Sequence, residues 1–154
     1  MALAVSWSRA MNECHERKNK VAKMSDKNRI LVVDDDEVVR RSYLRSLESL
    51  SCNVATAGDG EEALLTMEQS PFDVVLLDVR MPGQDGMAVL RTIKQKWPES
   101  EVVIITGYPS VTGAKEAMRL GAYDYVAKPV GPQDVINVAD AAMTRKQWAL
   151  HRVQ

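Results

Sequence analysis

A small set of polar residues directly follows short apolar segments of the sequence. In chain order these residues are Asp34, Asp35 and Asp36, then Asp78, Thr106 and Lys128. Carboxylates that lie a few ångströms apart repel one another strongly where water is partly excluded, so they need a cationic partner. Lys128 supplies one positive charge, and a divalent ion would supply two more. Because carboxylate, carbonyl and water ligands without His or Cys favour hard ions, we predict Mg²⁺ or Mn²⁺.

The same residue types are suited to phosphoryl transfer. A metal and a lysine ammonium neutralise the oxygens of a phosphoryl group, and the hydroxyl of Thr106 donates to one of them. Asp78 is then the nucleophile and forms an acyl phosphate. Each residue alone also has a structural explanation, as a turn residue, a helix cap or a surface charge. Asp36 in particular is expected to cap a helix. However, residues suited to phosphoryl transfer occur at the ends of four predicted strands, and this coincidence favours a functional site.

The elements that position these residues can be predicted from the apolar pattern. From residue 30 onward, short apolar segments alternate five times with segments of helical period. The predicted strands are 30–33, 53–57, 74–77, 102–106 and 123–127. Three of them are apolar on both faces, as parallel strands covered by helices are. Ser110 is a predicted N-cap, Gly121 a helix end, and Pro132 a first-turn residue of the last helix.

This alternation predicts an α/β fold, a three-layer (βα)₅ doubly wound sandwich. We expect a five-stranded parallel sheet of flavodoxin-like order 2-1-3-4-5, with the ligand site outside the carboxyl ends of the strands. The predicted domain spans residues 29–148, with a flexible extension over 1–28 and a tail or linker over 149–154. Met24 precedes a natural domain start, so the true start codon is either Met1 or Met24.

Composition limits the classes of function. With 154 residues, 45% of them hydrophobic, the chain can bury one substantial core. A formal net charge of -1 gives no general attraction to nucleic acid, so we expect no nucleic-acid binding by this chain. No apolar segment is long enough to cross a bilayer. Two cysteines, Cys14 and Cys52, fit a reducing environment, and we expect a cytoplasmic protein.

The ordered set of motifs resembles the receiver (response regulator) domains of bacterial two-component signalling over about residues 29–146. It comprises Asp34-Asp35 after the first strand, LLDVRMPGQDG around Asp78, the Thr106 of IITG, the aromatic Tyr125, and the Lys128-Pro129 pair. Each motif alone is weak, whereas the set in this order is specific. The segment TGYPSVTGAKEAMRLGAYDYVAKP is most similar to receivers of transcriptional or sensor-kinase-linked regulators.

The resemblance implies roles for individual residues. Asp78 is phosphorylated by a sensor histidine kinase or a phosphotransfer protein. Mg²⁺ is bound directly by Asp35, Asp78 and the backbone carbonyl of Arg80, and by Asp34 through water. Thr106 and Lys128 contact the phosphoryl group, and the Lys128-Pro129 peptide bond is cis. The chain is then no conventional enzyme, although it catalyses its own aspartyl phosphorylation and dephosphorylation.

The resemblance also implies how a signal spreads and how long it lasts. Tyr125 follows Thr106 inward as the population shifts toward the active arrangement, which alters the face made by helix 4, strand 5 and helix 5. That face regulates an output domain or partner protein, or forms a homodimer. Arg80 and Tyr108, two residues past Asp78 and Thr106, flank the path of the hydrolytic water. Both are bulky, so we expect slow dephosphorylation.

Two other interpretations stay open at this point. The phrase VVDDDEVV also fits the first motif of haloacid-dehalogenase-type phosphohydrolases, with Asp34 as nucleophile and Asp36 as acid/base. Those enzymes need a further acidic motif after the lysine, and only one predicted helix follows Lys128. A receiver-like module that acts without phosphate would require loss of a site residue, and none is lost.

Overall fold

The sheet has the predicted topology. The structure is a computed structural model that describes residues 27–81 and 83–152. Within these residues, five parallel strands form one sheet in the order β2-β1-β3-β4-β5. The strands are β1 (Arg29–Val33), β2 (Asn53–Ala57), β3 (Val74–Leu77), β4 (Glu101–Thr106) and β5 (Asp124–Ala127). The predicted doubly wound fold and its strand order 2-1-3-4-5 are confirmed.

Five α-helices connect or follow the strands in the described part of the chain. They are α1 (Glu37–Leu47), α2 (Gly60–Gln69), α3 (Gly86–Lys96), α4 (Val111–Arg119) and α5 (Pro132–Arg152). Side chains cap the first four at their N-termini, where free backbone N–H groups need acceptors. The capping residues are Asp36, Asp59, Asp85 and Ser110, in helix order. The caps fix where each loop at the carboxyl edge of the sheet ends.

The two faces of the sheet support separate apolar clusters. Alternate strand residues point to opposite faces, so Leu31 and Val33 pack on one side and Ile30 and Val32 on the other. The first cluster is covered by α2, α3 and α4, and the second by α1 and α5. Because both faces are buried, the central strands are apolar at every position and leave polar groups only at their ends.

The predicted domain boundaries fall partly outside the described residues. Residues 1–26 of the predicted extension are not described, and the extension stays a prediction. At the other end, α5 runs to Arg152, and two of its late side chains, Trp148 and Leu150, are 66% and 47% exposed. No helix among the described residues combines the length and apolar character that a membrane crossing requires.

A short hairpin joins β3 to α3. This β3–α3 hairpin comprises residues 79–81 and 83–86, in which Arg80 pairs with Asp85 and Met81 with Gln84 in antiparallel fashion. Its base is closed by a hydrogen bond from the Gly86 amide to the Val79 carbonyl, at 3.2 Å. A side chain at Gly86 would place its Cβ 2.3 Å from the Val79 Cα. The backbone therefore approaches itself too closely at this point for any residue but glycine.

The two hairpin glycines give a matched test of this close approach. Gly86→Ala forces backbone atoms apart, and we expect a loss of about 3 kcal/mol in the free energy of unfolding. Gly83 has a φ of +74°, but a Cβ at this residue would meet no described atom within 4 Å, so Gly83→Ala should cost only about 1 kcal/mol of conformational strain. Urea unfolding of both variants measures the difference. Equal losses would show that the base of the hairpin is not closely packed.

Candidate functional site

Strand register brings the predicted carboxylates together. Val33 pairs with Leu77, so Asp34 and Asp78 follow their strands at the same level, and the Asp78 amide donates to the Val33 carbonyl at 2.9 Å. Oxygens of Asp34, Asp35 and Asp78 all lie within 4.8 Å of one another. Asp34 and Asp78 are 2% and 5% exposed, whereas Asp35 is exposed. Two of the three carboxylates are thus almost removed from water.

Lys128 reaches this cluster from the end of β5. Ala127 pairs with Thr106, and the Lys128 amide donates to the Thr106 carbonyl at 2.7 Å. The Lys128 Nζ donates to Asp34 Oδ2 at 2.7 Å and to Asp78 Oδ2 at 3.2 Å. The peptide bond between Lys128 and Pro129 is cis. One ammonium therefore faces three carboxylates in this cluster, which leaves a surplus of negative charge.

Burial and the neighbouring charges shift the pKa values of two groups in the cluster. Burial raises the pKa of the Asp78 carboxyl, and the Asp34 charge adds to this effect, while the Arg80 amide and Lys128 oppose it. Burial lowers the pKa of the Lys128 ammonium, but its hydrogen bond to Asp34 and the charges of both carboxylates outweigh burial and raise it. Lys128 is thus held in its cationic form beside a carboxylate that is costly to ionise.

The donor set suits a hard divalent cation. The Asp34 oxygens accept from the Asp36 amide at 2.9 Å and from Lys128, which fixes the orientation of that carboxylate. Among the described residues, the Asp35 carboxylate accepts no hydrogen bond and forms no ion pair. Asp78 Oδ1 accepts from the Arg80 amide at 3.0 Å. Carboxylate oxygens with unused lone pairs, around a surplus of negative charge, fit Mg²⁺ or Mn²⁺.

Arg80 and Tyr108, both predicted to flank the site, contact each other. The Arg80 guanidinium carbon lies 4.0 Å from the centre of the Tyr108 ring, in a cation–π contact that we call the Arg80–Tyr108 stack. The Tyr108 amide donates to Thr106 Oγ1 at 3.1 Å, and Thr106 is fully buried. Asp78, Arg80, Tyr108 and Thr106 are thus linked in one continuous series of contacts.

Tyr125 lies apart from the carboxylates, on the α4 side of the sheet. It pairs with Ile104, two residues before Thr106, and its half-buried ring packs against the first apolar cluster. Its hydroxyl accepts from the Ser110 amide at 3.3 Å. A Cβ at Gly113 would lie 2.9 Å from the same hydroxyl. The predicted switch residue therefore contacts the start of α4, and its role in switching stays a prediction.

Three residues near this site were not predicted from the sequence: two form hydrogen bonds at the loops of the carboxyl edge, and the third interacts electrostatically with the site. Arg40 Nη1 donates to the Asp34 carbonyl at 2.7 Å, and Gln84 Oε1 accepts from the Gly60 amide at 2.5 Å. Tyr43 on α1 is 6% exposed, and burial raises the pKa of its hydroxyl, with smaller effects from Lys128 and the site carboxylates. Arg40 and Tyr43 follow the acidic triplet within α1, but their spacing alone does not distinguish site contacts from surface or core positions.

Comparisons with known proteins agree with this arrangement. The family model described as the response regulator receiver domain matches residues 30–140. The chain is 35% identical to the DNA-binding transcriptional regulator NtrC of Salmonella typhimurium, over 77% of this chain and 25% of that protein. It is 45% identical to the transcriptional regulatory protein ZraR of Escherichia coli, over 66% of this chain and 23% of that protein. The chain spans about a quarter of the length of these curated relatives.

Solved structures show the same fold. A CheY-like receiver domain protein from Methanospirillum hungatei superposes with a TM-score of 0.77 at 27% identity, covering 80% of this chain and 99% of that one. NtrX from Brucella abortus superposes with a TM-score of 0.76 at 33% identity, covering 81% of this chain and 29% of that one. The fold, the strand-end residues and these matches lead to one conclusion: the chain belongs to the response regulator receiver domain family of two-component systems.

Proposed function

We propose that Asp78 accepts a phosphoryl group in a Mg²⁺-dependent reaction, with a sensor histidine kinase or a phosphotransfer protein as donor. The observation that carries this proposal is the contact of Lys128 with both Asp34 and Asp78 inside a cluster of three carboxylates. A buried cluster with surplus negative charge is costly for folding alone. It is useful where a cation and a phosphoryl group must be held together.

The proposed step is an in-line displacement at phosphorus. A carboxylate oxygen of Asp78 forms the new O–P bond while the N–P bond to the donor histidine breaks, and the imidazole nitrogen keeps the electron pair. Lys128, already 3.2 Å from Asp78 Oδ2, neutralises a phosphoryl oxygen. Thr106, freed from the Tyr108 amide, donates its hydroxyl to another oxygen. Asp78 has to be ionised to attack. Lys128 and the Arg80 amide favour the ionised form, because they oppose the effect of burial on the pKa of Asp78.

Asp35, Asp78 and the Arg80 carbonyl would hold the metal, with Asp34 acting through water. When bound, the metal supplies positive charge that stabilises the carboxylates and the transferred group. This assignment rests on the donor types and on the exposed Asp35 carboxylate, which has no partner within the described residues. Asp34 is instead fixed by Lys128 and by the Asp36 amide.

The proposed output is a shift of the α4–β5–α5 face. Movement of Thr106 toward a phosphoryl group on Asp78 breaks its hydrogen bond with the Tyr108 amide and vacates space beside β5. Tyr125, which reaches the start of α4 through the Ser110 amide, follows inward. The changed face then binds an output domain, a partner protein or a second copy of the chain. We propose that this takes place in the bacterial cytoplasm.

The two alternative interpretations have less support. In a phosphohydrolase that used Asp34 as nucleophile, Asp36 would act as acid and base, but Asp36 caps α1 by accepting from the Val38 amide at 2.9 Å. Asp34 itself is engaged by Lys128 and by the Asp36 amide. A module independent of phosphate would not need Asp78, Lys128 and Thr106 together, and all three are present at the strand ends.

Phosphorylation by acetyl phosphate, a small phosphoryl donor, separates these interpretations. With Mg²⁺ present, we expect wild-type protein to be labelled and Asp78→Asn to lose essentially all label, because the nucleophile is gone. Asp34→Asn should be labelled at least about tenfold more slowly, since it weakens the metal and lysine contacts. Intact-protein mass spectrometry measures the added phosphoryl group. Full labelling of Asp78→Asn would contradict the proposal, and loss of label only in Asp34→Asn would favour the phosphohydrolase.

The raised pKa of Asp78 predicts that wild type and Asp78→Asn differ in stability when no metal is bound. The pKa of such a carboxyl is higher in the folded protein than in the unfolded chain. The group therefore stabilises the fold at pH values below its unfolded pKa, and this contribution is lost as the pH rises through its folded pKa. At neutral pH the ionised carboxylate is therefore destabilising. In EDTA, Asp78→Asn should therefore have a melting temperature a few degrees above that of wild type.

The pH dependence provides the control for this stability difference. The difference in melting temperature between Asp78→Asn and wild type should decrease as the pH falls toward the ordinary aspartate pKa of about 3.9. The reason is that the Asp78 carboxyl of wild type then becomes protonated. Asp35→Asn, which alters an exposed carboxylate of the same cluster, should give a smaller gap. Thermal unfolding followed by circular dichroism measures both. A lower melting temperature of Asp78→Asn at neutral pH would mean that Asp78 is stabilising as an anion.

The Arg80–Tyr108 stack predicts slow loss of phosphate. Both side chains are bulky and they contact each other beside Asp78, so they hinder an attacking water. We expect Arg80→Asn and Tyr108→Glu each to raise the dephosphorylation rate of the Mg²⁺-bound protein about threefold or more, since each removes a cation–π contact. Phosphate release after removal of the donor measures the rate. Fast release from wild type, with little change in the variants, would show that the stack does not hinder water.

A further inference from the structure

Gln84 joins two loops at the carboxyl edge of the sheet that are distant in sequence. Its side-chain oxygen accepts from the Gly60 amide, at the first turn of α2, at 2.5 Å. Gly60 is buried and Gln84 is half-buried. The nearby amide of Glu62 is instead satisfied by the N-cap Asp59, at 2.7 Å. Gln84 therefore acts as a second cap for α2, supplied from across the site.

The contact between Gln84 and Gly60 is closely packed. A Cβ at Gly60 would lie 2.4 Å from Gln84 Oε1 and 2.5 Å from Val89 Cγ2. The absence of a side chain at Gly60 thus creates the space into which the Gln84 amide fits. The substitution Gln84→Met keeps a similar length but replaces the amide oxygen with a weakly accepting sulfur, so the buried Gly60 amide loses its strong acceptor.

Gln84 is also part of the β3–α3 hairpin, which carries Arg80. Gln84 pairs with Met81, next to the pair formed by Arg80 and Asp85. The base of the hairpin is held by the Gly86 amide, and its second strand by the Gln84 side chain. Arg80 in turn donates its amide to Asp78 Oδ1 and supplies the carbonyl of the proposed metal site. The position of Arg80 is therefore fixed from both ends of the hairpin.

We propose that Gln84 is a positioning residue that sets the affinity of the carboxylate cluster for a divalent cation. By tying the β3–α3 hairpin to the start of α2, it holds the Arg80 backbone at the distance from Asp78 that the cation requires. The inference rests on the proposed metal site. It goes beyond that proposal because Gln84 touches neither the carboxylates nor the reacting atoms.

Mg²⁺ titration of the intact chain by calorimetry, without any phosphoryl donor, tests this inference. Gln84→Met, which lacks the strong acceptor, and Gln84→Asn, which is too short to reach Gly60, should each bind Mg²⁺ about three- to tenfold more weakly. Gln84→Glu keeps an acceptor aimed at a helix N-terminus and should bind at least as tightly as wild type. Melting temperatures in EDTA report any general loss of stability.

Ser110→Ala is the matched control. Ser110 Oγ accepts from the Gly113 amide at 2.9 Å, so this variant also removes a neutral cap from a helix, but on a loop that does not join the β3–α3 hairpin. Its melting temperature should fall about as far as that of Gln84→Met, with unchanged Mg²⁺ affinity. The inference is overturned if Gln84→Met and Gln84→Asn bind Mg²⁺ like wild type, or if Ser110→Ala binds as weakly as they do. Wild type that binds no Mg²⁺ would instead overturn the proposed metal site itself.

Discussion

Repulsion between carboxylates at one edge of the sheet is the constraint on which this structure depends. Asp34 and Asp78 are almost completely buried, Asp35 lies beside them, and Lys128 is the ammonium that contacts the two buried carboxylates. Burial raises the pKa of Asp78, and the charge of Asp34 adds to this effect, although Lys128 and the Arg80 amide oppose it. A fold selected for stability alone would not retain such a cluster, because removing buried like charges is usually neutral or stabilising. The cluster is better explained as a site prepared for a cation and an anionic group.

The parallel sheet makes this cluster possible. Strands β1 and β3 are adjacent, and Val33 at the end of β1 pairs with Leu77 at the end of β3. Asp34 and Asp78, which are 44 positions apart in the sequence, therefore become neighbours. Helix caps and a hydrogen-bonded hairpin then fix the loops that follow the strands. The apolar core on both faces supplies the rigidity against which the charges are held. Side chains that reach the site from α1, such as Arg40, add a further support to the Asp34 backbone.

Much of this arrangement can be predicted from the sequence because it depends on local patterns. Buried parallel strands are apolar at every position, so a polar residue at their end is conspicuous, and Asp34, Asp78 and Thr106 can all be found in this way. The Ser110 cap follows from its position before an apolar helical pattern. Domain boundaries near the termini are harder to predict, since neither apolar period nor capping residues mark the ends of the extension.

Contacts between side chains of different loops cannot be predicted in the same way. Gln84 and Gly60 are 24 positions apart, and nothing in either segment indicates that they meet. The Arg80–Tyr108 stack joins two residues that are each expected near the site, but their mutual contact depends on side-chain conformations. Arg40 likewise resembles any exposed arginine of an amphipathic helix. Such contacts require the three-dimensional positions of the loops, which local sequence does not encode.

Identification of the phosphorylated residue shows whether Asp78 is the acceptor of the phosphoryl group. After incubation with a phosphoryl donor and Mg²⁺, borohydride reduction converts an acyl phosphate of aspartate into homoserine, which peptide mass spectrometry can locate. We expect conversion at Asp78 alone, and none when EDTA replaces Mg²⁺. Conversion at Asp34 or Asp35, or conversion at Asp78 that does not depend on a divalent cation, would contradict it.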